Sequence, residues 1–415
     1  MQASAPIQPN IGKYYLFNFF LNFQLWWPIW IIYLTEQRGL TLAQVTLIDI
    51  PFWLCIVLLQ VPAAAAADRW GRRPTLIASA AAFAVAITAF GLASTFWLIL
   101  IAYLIWGVAF SLLNGTESAF IYDSLKALGR DNEYQTIYGR AWAINMAAAV
   151  AGTMIGAPLA AATSLPVPIV ISGGIAAFAA FTALTFREPP RPASDGARLT
   201  YTQVIRQSAE IVRRRPAVRY SILMVGIVAI GSLGPIFFFQ PFLVDHGVDT
   251  ADVGFWQTPM RVAAIFGALA AARIIMTLGE RRTFYLMPAV LIASYALLAL
   301  WGSVYAQAAF LTLNFVMIMS QPLLTDYINR RVPSEQRATV VSLTNLVRSA
   351  ALIPSAPLMG LLATNVSLSA AFAAGGILVA ALALPLLALW SPLMERGDAP
   401  EPALAEPAGV SGAGR

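Results

Sequence analysis

The sequence predicts an all-α membrane protein whose twelve transmembrane helices form two pseudo-symmetric six-helix bundles. Hydrophobic residues make up 59% of the 415 residues and charged residues only 11%, whereas a soluble globular domain contains about 25% charged residues. The apolar residues form long runs of about 20 residues or more, the length that crosses a hydrocarbon core about 30 Å thick. Charged turns and proline positions of the first half of the chain recur in the second half.

Twelve apolar stretches, numbered spans 1 to 12, follow one another along the chain. Their predicted limits are residues 13–34, 40–67, 75–93, 96–125, 140–162, 168–186, 218–244, 253–278, 283–304, 306–327, 338–363 and 368–389. The first stretch is too long for a signal-peptide core and lacks a cleavage site, so we expect it to be retained.

The same stretches predict a domain organisation. An N-terminal six-helix bundle covers residues 1–186, and a C-terminal bundle covers residues 218–392. Residues 187–217 are rich in arginine and proline and are predicted to form a cytoplasmic loop with an amphipathic segment. Residues 393–415 are rich in Ala, Gly and Pro and are predicted to be a disordered cytoplasmic tail.

The distribution of Lys and Arg residues along the chain predicts the orientation of the protein in the membrane. Of the 26 Lys and Arg residues, only Arg38 lies in a predicted outer loop, and Arg261 and Arg348 lie inside apolar stretches. The others lie in segments that would face the cytoplasm if both termini do. We therefore expect a multi-pass, monomeric protein of the cytoplasmic (inner) membrane, with the lipid bilayer around it and no nucleic-acid partner.

The sequence lacks the motifs of soluble enzymes. It contains no phosphate-binding P-loop, no H-E-x-x-H motif and no Cys/His cluster, and Cys55 and His246 are the single residues of their types. No enzyme activity, cofactor or metal is predicted. Without a nucleotide site, ion or solute gradients are left as the source of energy.

A charged turn separates spans 2 and 3. It consists of Asp68-Arg69-Trp70-Gly71-Arg72-Arg73-Pro74. Glycine permits a tight reversal, and proline suits the first turn of the next helix. The turn resembles the G-x-x-x-D-R-x-G-R-R loop of the major facilitator superfamily, with Ala64 in place of the first glycine. Residues 114–141 resemble a bacterial branch of the same superfamily that is similar to drug and metabolite exporters.

The resemblance implies two halves that rock about a central site and a gate at the cytoplasmic ends of the helices. The second half repeats the gate pattern, because Asp326 and Arg337 echo Asp123 and Arg140. The candidate gate residues are Asp68, Arg69, Gly71, Arg72, Arg73, Asp123, Arg140, Asp326 and Arg337. The alternative is a set of ion pairs that fix the loops and do not switch.

Four charged residues lie at least eight residues from either end of an apolar stretch: Asp49, Glu117, Arg261 and Arg348. Each costs at least about 2.5 kcal/mol at mid-membrane, so each should face protein or a wet cavity. Glu117, near the cytoplasmic end of span 4, is the strongest candidate for binding a proton or the substrate. The alternative is an acid that is permanently paired.

The two buried arginines leave two interpretations open. A guanidinium group matches a carboxylate or a phosphate, so Arg261 and Arg348 together predict a site for an organic anion. Alternatively, they are neutralised internally, with Arg348 paired to Asp49, because spans 2 and 11 are adjacent in the family.

Polar amides complete the candidate site. They are Asn18, Asn22 and Gln24 in span 1 and Gln240 in span 7. Interhelical hydrogen bonding is the alternative role for them. Gly152 and Gly156 in span 5 form a small-xxx-small face, which predicts close contact with a neighbouring helix.

The expected function is proton-coupled efflux of small, partly apolar drugs or metabolites by alternating access. The aromatic residues of spans 1 and 7 and the bacterial-branch resemblance favour it. Tyr103 stands where drug/proton antiporters often carry an arginine, so proton coupling would have to use Glu117 or Asp49. The alternatives are organic-anion transport and, in another class, a non-transporting receptor or lipid-modifying enzyme.

Overall fold

The computed structural model describes residues 7–190, 210, 212–332 and 337–395, and all the regular secondary structure in this part of the chain is helical. Ten of its helices are long and apolar enough to cross a membrane. One of them, Val253–Leu300, contains Gly279 with a φ of 77°. It comprises two spans, because an unbroken helix of that length would be about 72 Å long, more than twice the hydrocarbon thickness. Counting Val253–Leu300 as two spans and adding the interrupted span 1 gives twelve spans, which agrees with the sequence prediction.

The helix bounds lie within a few residues of most predicted limits. The first half contains Pro9–Asn22 and Trp30–Ile32 (span 1), Leu42–Trp70 (span 2), Arg72–Leu92 (span 3), Phe96–Leu113 and Thr116–Ala127 (span 4), Tyr134–Ala162 (span 5) and Pro166–Leu184 (span 6). The second half contains Pro216–Gly231 and Phe239–Asp245 (span 7), Val253–Leu300 (spans 8 and 9), Ala308–Asn329 (span 10), Arg337–Asn365 (span 11) and Leu368–Glu395 (span 12). Two π-helical segments, Tyr33–Gln37 and Gly234–Phe238, belong to spans 1 and 7.

Span 1 is not the continuous helix that the sequence predicts. Its first helix ends at Asn22, and helical structure resumes only at Trp30. Pro28 has no N–H group and restricts the residue before it, so it disfavours helix in this segment. The freed N–H of Leu25 donates instead to Ser172 Oγ at 2.9 Å. Irregular backbone at membrane depth needs such partners, so the break depends on tertiary structure.

Span 5 accommodates this break through two glycines. A Cβ atom at Gly156 would lie 1.9 Å from the carbonyl oxygen of Leu25, and one at Gly152 would lie 2.7 Å from that of Gln24. The predicted close approach at Gly152 and Gly156 is confirmed. Its partner is the unwound backbone of span 1 rather than a regular helix.

The two halves of the chain meet along two helix pairs. Span 2 packs against span 11, and span 5 packs against span 8. Glycines allow the backbones to approach, since a Cβ at Gly254 would lie 2.3 Å from the carbonyl oxygen of Thr153 and one at Gly360 would lie 2.8 Å from that of Leu42. These contacts place a boundary between the halves through the centre of the molecule.

The turns after spans 2, 4, 8 and 10 lie at one end of the helices, which we call the basic face. It carries Arg69, Arg72, Arg73, Arg130, Arg281, Arg330 and Arg331, whereas Arg38 lies at the opposite end. The predicted domain limits stay predictions. The amphipathic segment within 187–217 and most of the tail at 393–415 lie outside the described residues.

Candidate functional site

A cavity of about 720 Å³ lies between the two halves and is lined by residues of both. Its aromatic lining consists of Trp26, Trp27, Trp30, Phe52, Trp53, Phe83, Tyr103, Trp106, Phe110 and Tyr138. Its polar lining includes Asn22, Gln24, Asp49, Asn114, Glu117, Asn145, Gln257, Arg261 and Asn314. A largely apolar cavity with a few polar groups is the usual form of a small-molecule site.

Glu117 reaches this cavity because span 4 is broken beside it. Gly115 adopts a φ of 81°, and a new helix begins at Thr116. Tyr14 of span 1 donates its hydroxyl hydrogen to Glu117 Oε1 at 2.6 Å. Among the described residues, no Lys or Arg nitrogen lies within 4.0 Å of the Glu117 carboxylate, so its partner here is neutral. Glu117 therefore lies at the cavity with the neutral Tyr14 hydroxyl as its hydrogen-bond donor.

Asp49 is buried and accepts a hydrogen bond from Trp53 Nε1, one turn further along span 2. The alternative interpretation, in which Asp49 pairs with Arg348, is wrong. The N–H of Ala43 donates to Thr364 Oγ1 at 3.0 Å, which sets the register between spans 2 and 11. Asp49 is six residues beyond Ala43 and Arg348 is sixteen before Thr364, so the two are offset by about ten residues, or about 15 Å.

The structure separates the two buried arginines that the sequence placed in one anion site. Arg261 lines the central cavity, with Cζ 5.3 Å from the centroid of the Trp27 ring. Arg348 lines a separate pocket between spans 7, 10 and 11 and donates to Gln321 Oε1 at 2.6 Å. Neither guanidinium has a carboxylate within 4.0 Å in the described part of the chain. Both arginines therefore face cavities, but not the same cavity.

Of the three amide side chains of span 1, one forms a bond within its helix and two line the cavity. Asn18 is buried and donates to the carbonyl oxygen of Tyr14 at 2.9 Å, which is a local structural bond. Asn22 and Gln24 line the cavity, and Asn22 Nδ2 lies 3.1 Å from Asn145 Oδ1 of span 5. Two of the three predicted amides of span 1 therefore face the cavity.

Three buried polar atoms of the lining have no hydrogen-bond partner among the described residues. They are Trp26 Nε1, Trp106 Nε1 and Gln257 Oε1. Buried polar groups in folded proteins normally have a partner, so water or a bound solute would complete these bonds. Sequence reasoning missed Trp106 and Gln257. Gln257 could have been predicted from the sequence, because it lies four residues before Arg261 and therefore on the same face of span 8.

The predicted gate residues at the basic face form a small ion-pair network. Arg72 Nη1 lies 2.8 Å from Asp68 Oδ1, and Arg72 Nε lies 3.4 Å from Asp123 Oδ2. Arg72 thereby links the turn after span 2 to the end of span 4. Arg140 is exposed and has no carboxylate within 4.0 Å in the described part of the chain, and Arg69 is also exposed.

Glu188 anchors the glycine turn of this network, a role that sequence reasoning missed. Its carboxylate accepts the backbone N–H groups of Arg72 at 2.6 Å and Arg73 at 2.8 Å, which stabilises the start of span 3. Gly71 has a φ of 114°, and a Cβ there would lie 2.6 Å from Glu188 Oε1. Glu188 follows span 6, so its contact with this turn depends on the packing of span 6 against span 3.

The second half carries a related network at the basic face. Arg330 Nη2 lies 2.6 Å from Glu280 Oε1 and 3.0 Å from Asp326 Oδ2. Asp326 is therefore paired within its own helix. The side chain of Arg337, its partner in the sequence pattern, lies outside the described residues.

Gln240 joins the halves at the end opposite the basic face. Its Oε1 accepts the N–H of Ile31 at 2.9 Å, and its Nε2 donates to the carbonyl oxygen of Trp27 at 2.9 Å. It serves as a clasp between spans 7 and 1 rather than as part of the cavity lining.

Tyr138, in the second turn of span 5, lines the other end of the cavity. The cavity therefore extends from this clasp towards the basic face.

Gln240→Leu should shift the conformational equilibrium towards a form in which the central cavity is open at the end of the molecule opposite the basic face. The change keeps the side-chain size but leaves buried N–H and C=O groups unpaired, at a cost of about 1–3 kcal/mol. In a Cys55→Ser background, a cysteine at the lining residue Ile236 should react roughly tenfold faster with a membrane-impermeant thiol reagent applied from that side.

Gln307→Leu is the matched control for this experiment. Gln307 lies at the same end, and its Oε1 has no partner among the described residues. The control should leave the labelling rate unchanged. Equal rates in both variants would contradict the role of Gln240.

Comparison with known proteins finds one family and several solved structures. The family model described as Major Facilitator Superfamily matches residues 15–356. The nucleoside transporter NupG has a TM-score of 0.73 and 14% identity, covering 93% of this chain and 99% of its own. A bacterial homolog of the human lysosomal transporter Spinster, inward-facing and occupied, has a TM-score of 0.73 and 16% identity over 95% and 98%.

A third structure is a POT family transporter in complex with 5-aminolevulinic acid, with a TM-score of 0.70 and 12% identity over 95% of this chain and 98% of that one. No curated protein matches the chain by sequence. At these identities, the structural similarities demonstrate a shared fold and do not indicate a substrate.

Proposed function

The chain belongs to the Major Facilitator Superfamily and is a multi-pass secondary transporter of small molecules, and from this premise we propose that it exports small, partly apolar drugs or metabolites in exchange for protons. The observation that carries the proposal is the position of Glu117 at the edge of the central cavity, bonded to the neutral Tyr14 hydroxyl. A carboxyl group in this position can bind a proton from one side of the membrane and release it to the other.

The cavity lining supports a partly apolar solute. Aromatic rings surround it, with Trp26 and Trp106 packed edge to face at a centroid separation of 5.6 Å. Their indole N–H groups lack partners among the described residues. A flat solute with one or two hydrogen-bond acceptors would complete these bonds and bury its apolar surface.

The proposal includes an orientation and a gate. Because arginines concentrate at the basic face, we place this face and both termini in the cytoplasm of a cell with an inner membrane. The cavity would then be accessible from the cytoplasm, as the loading of an exported solute requires. We assign Arg72, Asp68 and Asp123 to the cytoplasmic gate, which would change its contacts when the halves rock. A single copy of the chain contains all the proposed parts.

The experiment that tests this function uses everted membrane vesicles and a panel of toxic compounds. An imposed pH gradient should drive uptake of exported compounds into the everted vesicles, and a protonophore should abolish it. A strain lacking the transporter should be more sensitive to the same compounds. If a pH gradient moves no compound and deletion changes no sensitivity, proton-coupled efflux is wrong.

Organic-anion transport is a second candidate, favoured by Arg261. This guanidinium lies in the central cavity against Trp27 without a carboxylate within 4.0 Å in the described part of the chain. A bound carboxylate or phosphate would supply the missing counter-charge with paired hydrogen bonds. Gln257 and Asn314 line the cavity nearby on spans 8 and 10.

Arg261→Gln should selectively reduce transport of anionic solutes. Loss of a buried charge partner costs about 2–5 kcal/mol, which corresponds to roughly thirtyfold or more in affinity. Proteoliposome uptake of a carboxylate-bearing solute and a neutral solute of similar size would measure the difference. The control is Arg273→Gln, an exposed arginine of the same helix. Equal losses for both solutes would argue against an anion site at Arg261.

A further inference from the structure

The pocket that contains Arg348 lies outside the central cavity and has its own polar lining. Its volume is about 210 Å³, and spans 7, 10 and 11 form its walls. A water molecule takes about 30 Å³ of liquid volume, so the pocket has room for a small charged group with its hydration. Within the described part of the chain, no acidic residue lines it.

Residues of one helix face connect this pocket to the central cavity. On span 10, Asn314 and Ile318 line the central cavity, whereas Gln321 and Thr325 line the side pocket. Positions separated by three or four residues share a helix face. The same side of span 10 therefore lines both cavities, and the side pocket is the one nearer the basic face. Gln321 lies about 10 Å beyond Asn314 along the helix axis.

The donors in the side pocket outnumber its acceptors. Arg348 uses one N–H group on Gln321 Oε1 at 2.6 Å, and a guanidinium has five N–H donors. Asn345, one turn before Arg348 on span 11, and Thr325 on span 10 also line the pocket, and no described residue accepts a hydrogen bond from their side chains. The pocket thus combines a fixed positive charge with several hydrogen-bond donors.

We propose that this side pocket binds an oxyanion, a phosphate or carboxylate group, with Arg348 as its charged ligand and Gln321 and Asn345 as additional donors. A guanidinium inside a membrane span is costly unless it is paired, and an oxyanion matches its planar fork. The group belongs either to a lipid headgroup or to a free solute anion. The site does not depend on proton-coupled efflux, because Glu117 and Arg261 lie in the other cavity.

The test measures the apparent Tm of the full-length protein in maltoside micelles by intrinsic tryptophan fluorescence. The probes are inorganic phosphate, compared with chloride at equal ionic strength, and phosphatidylglycerol added to the micelles. We expect at least one probe to raise the Tm by about 1–3 °C. A response to phosphate identifies a free anion as sufficient, and a response to the lipid alone identifies a headgroup.

Two variants assign the response to the pocket. Arg348→Gln removes the charge, and Gln321→Glu places a carboxylate beside Arg348 so that the pocket supplies its own anion. Both should abolish the Tm rise, whereas Arg273→Gln, which changes an exposed arginine that lines neither cavity, should retain it. Gln321→Glu keeps the test valid if Arg348→Gln does not fold. The proposal is overturned if neither probe raises the Tm of the unaltered protein, or if the rise persists in Gln321→Glu.

Discussion

Glu117→Gln is expected to reduce pH-driven transport by about two orders of magnitude, the lower end of what a positioned acid–base group contributes. Gln Oε1 can accept the same hydrogen bond from Tyr14 that Glu117 Oε1 accepts at 2.6 Å. The substitution therefore keeps the local geometry and removes only the ability to carry a proton. Uptake into proteoliposomes after a pH step is the measurement.

Exchange of labelled for unlabelled substrate without a pH gradient provides the internal control. It should continue in Glu117→Gln, because it requires movement of the halves but no net proton transfer. Asp49→Asn is the companion variant, since Asp49 is the other carboxyl group that lines the cavity. Full pH-driven flux in Glu117→Gln with none in Asp49→Asn would transfer the coupling role to Asp49.

Gly156→Ala is expected to lower the free energy of unfolding by at least about 3 kcal/mol, the upper range for overpacking. The added Cβ would lie 1.9 Å from the carbonyl oxygen of Leu25 and 2.7 Å from its carbonyl carbon. These are backbone atoms, so no side chain can rotate away. The unwound segment of span 1 would have to move, together with Trp26 and Trp27 in the cavity wall.

Gly139→Ala is the matched control, because Gly139 lies in the same helix and a Cβ there would meet nothing within 4 Å. It should change stability by no more than about 1 kcal/mol, in the stabilising direction, since alanine favours helix. Chemical denaturation of both variants in detergent measures the contrast. Equal stability of the two variants would show that span 5 and the break in span 1 can separate without cost.

The family match and the helical structure confirm the fold class that was predicted from hydropathy and charged turns. Long apolar runs are reliable signals because a bilayer leaves few other structures available to them. The break in span 1 was not predictable in the same way. Pro28 disfavours helix at this point, but the partners that stabilise the broken backbone at Leu25 and Trp27 are Ser172 and Gln240, which are distant in sequence.

The candidate site was predicted in part. Asp49, Glu117 and Arg261 were singled out as rare charges in apolar runs, and all three line the central cavity. Arg348 carried the same signal, yet it faces a different pocket. Composition cannot distinguish these cases, because each guanidinium lies in an apolar span and the packing of that span against its neighbours decides which cavity the side chain faces.

The sequence by itself determined that this protein spans the membrane many times, that its arginines concentrate at one face, and which few charged groups lie well inside the membrane-spanning stretches. These properties depend on the transfer of each residue between water and lipid, which is local to the residue. The tertiary structure alone decided that Glu117 bonds Tyr14, that Glu188 holds the turn at Gly71, and that Arg261 and Arg348 are apart. Such contacts depend on the relative rotation and register of packed helices, which many distant side chains set together.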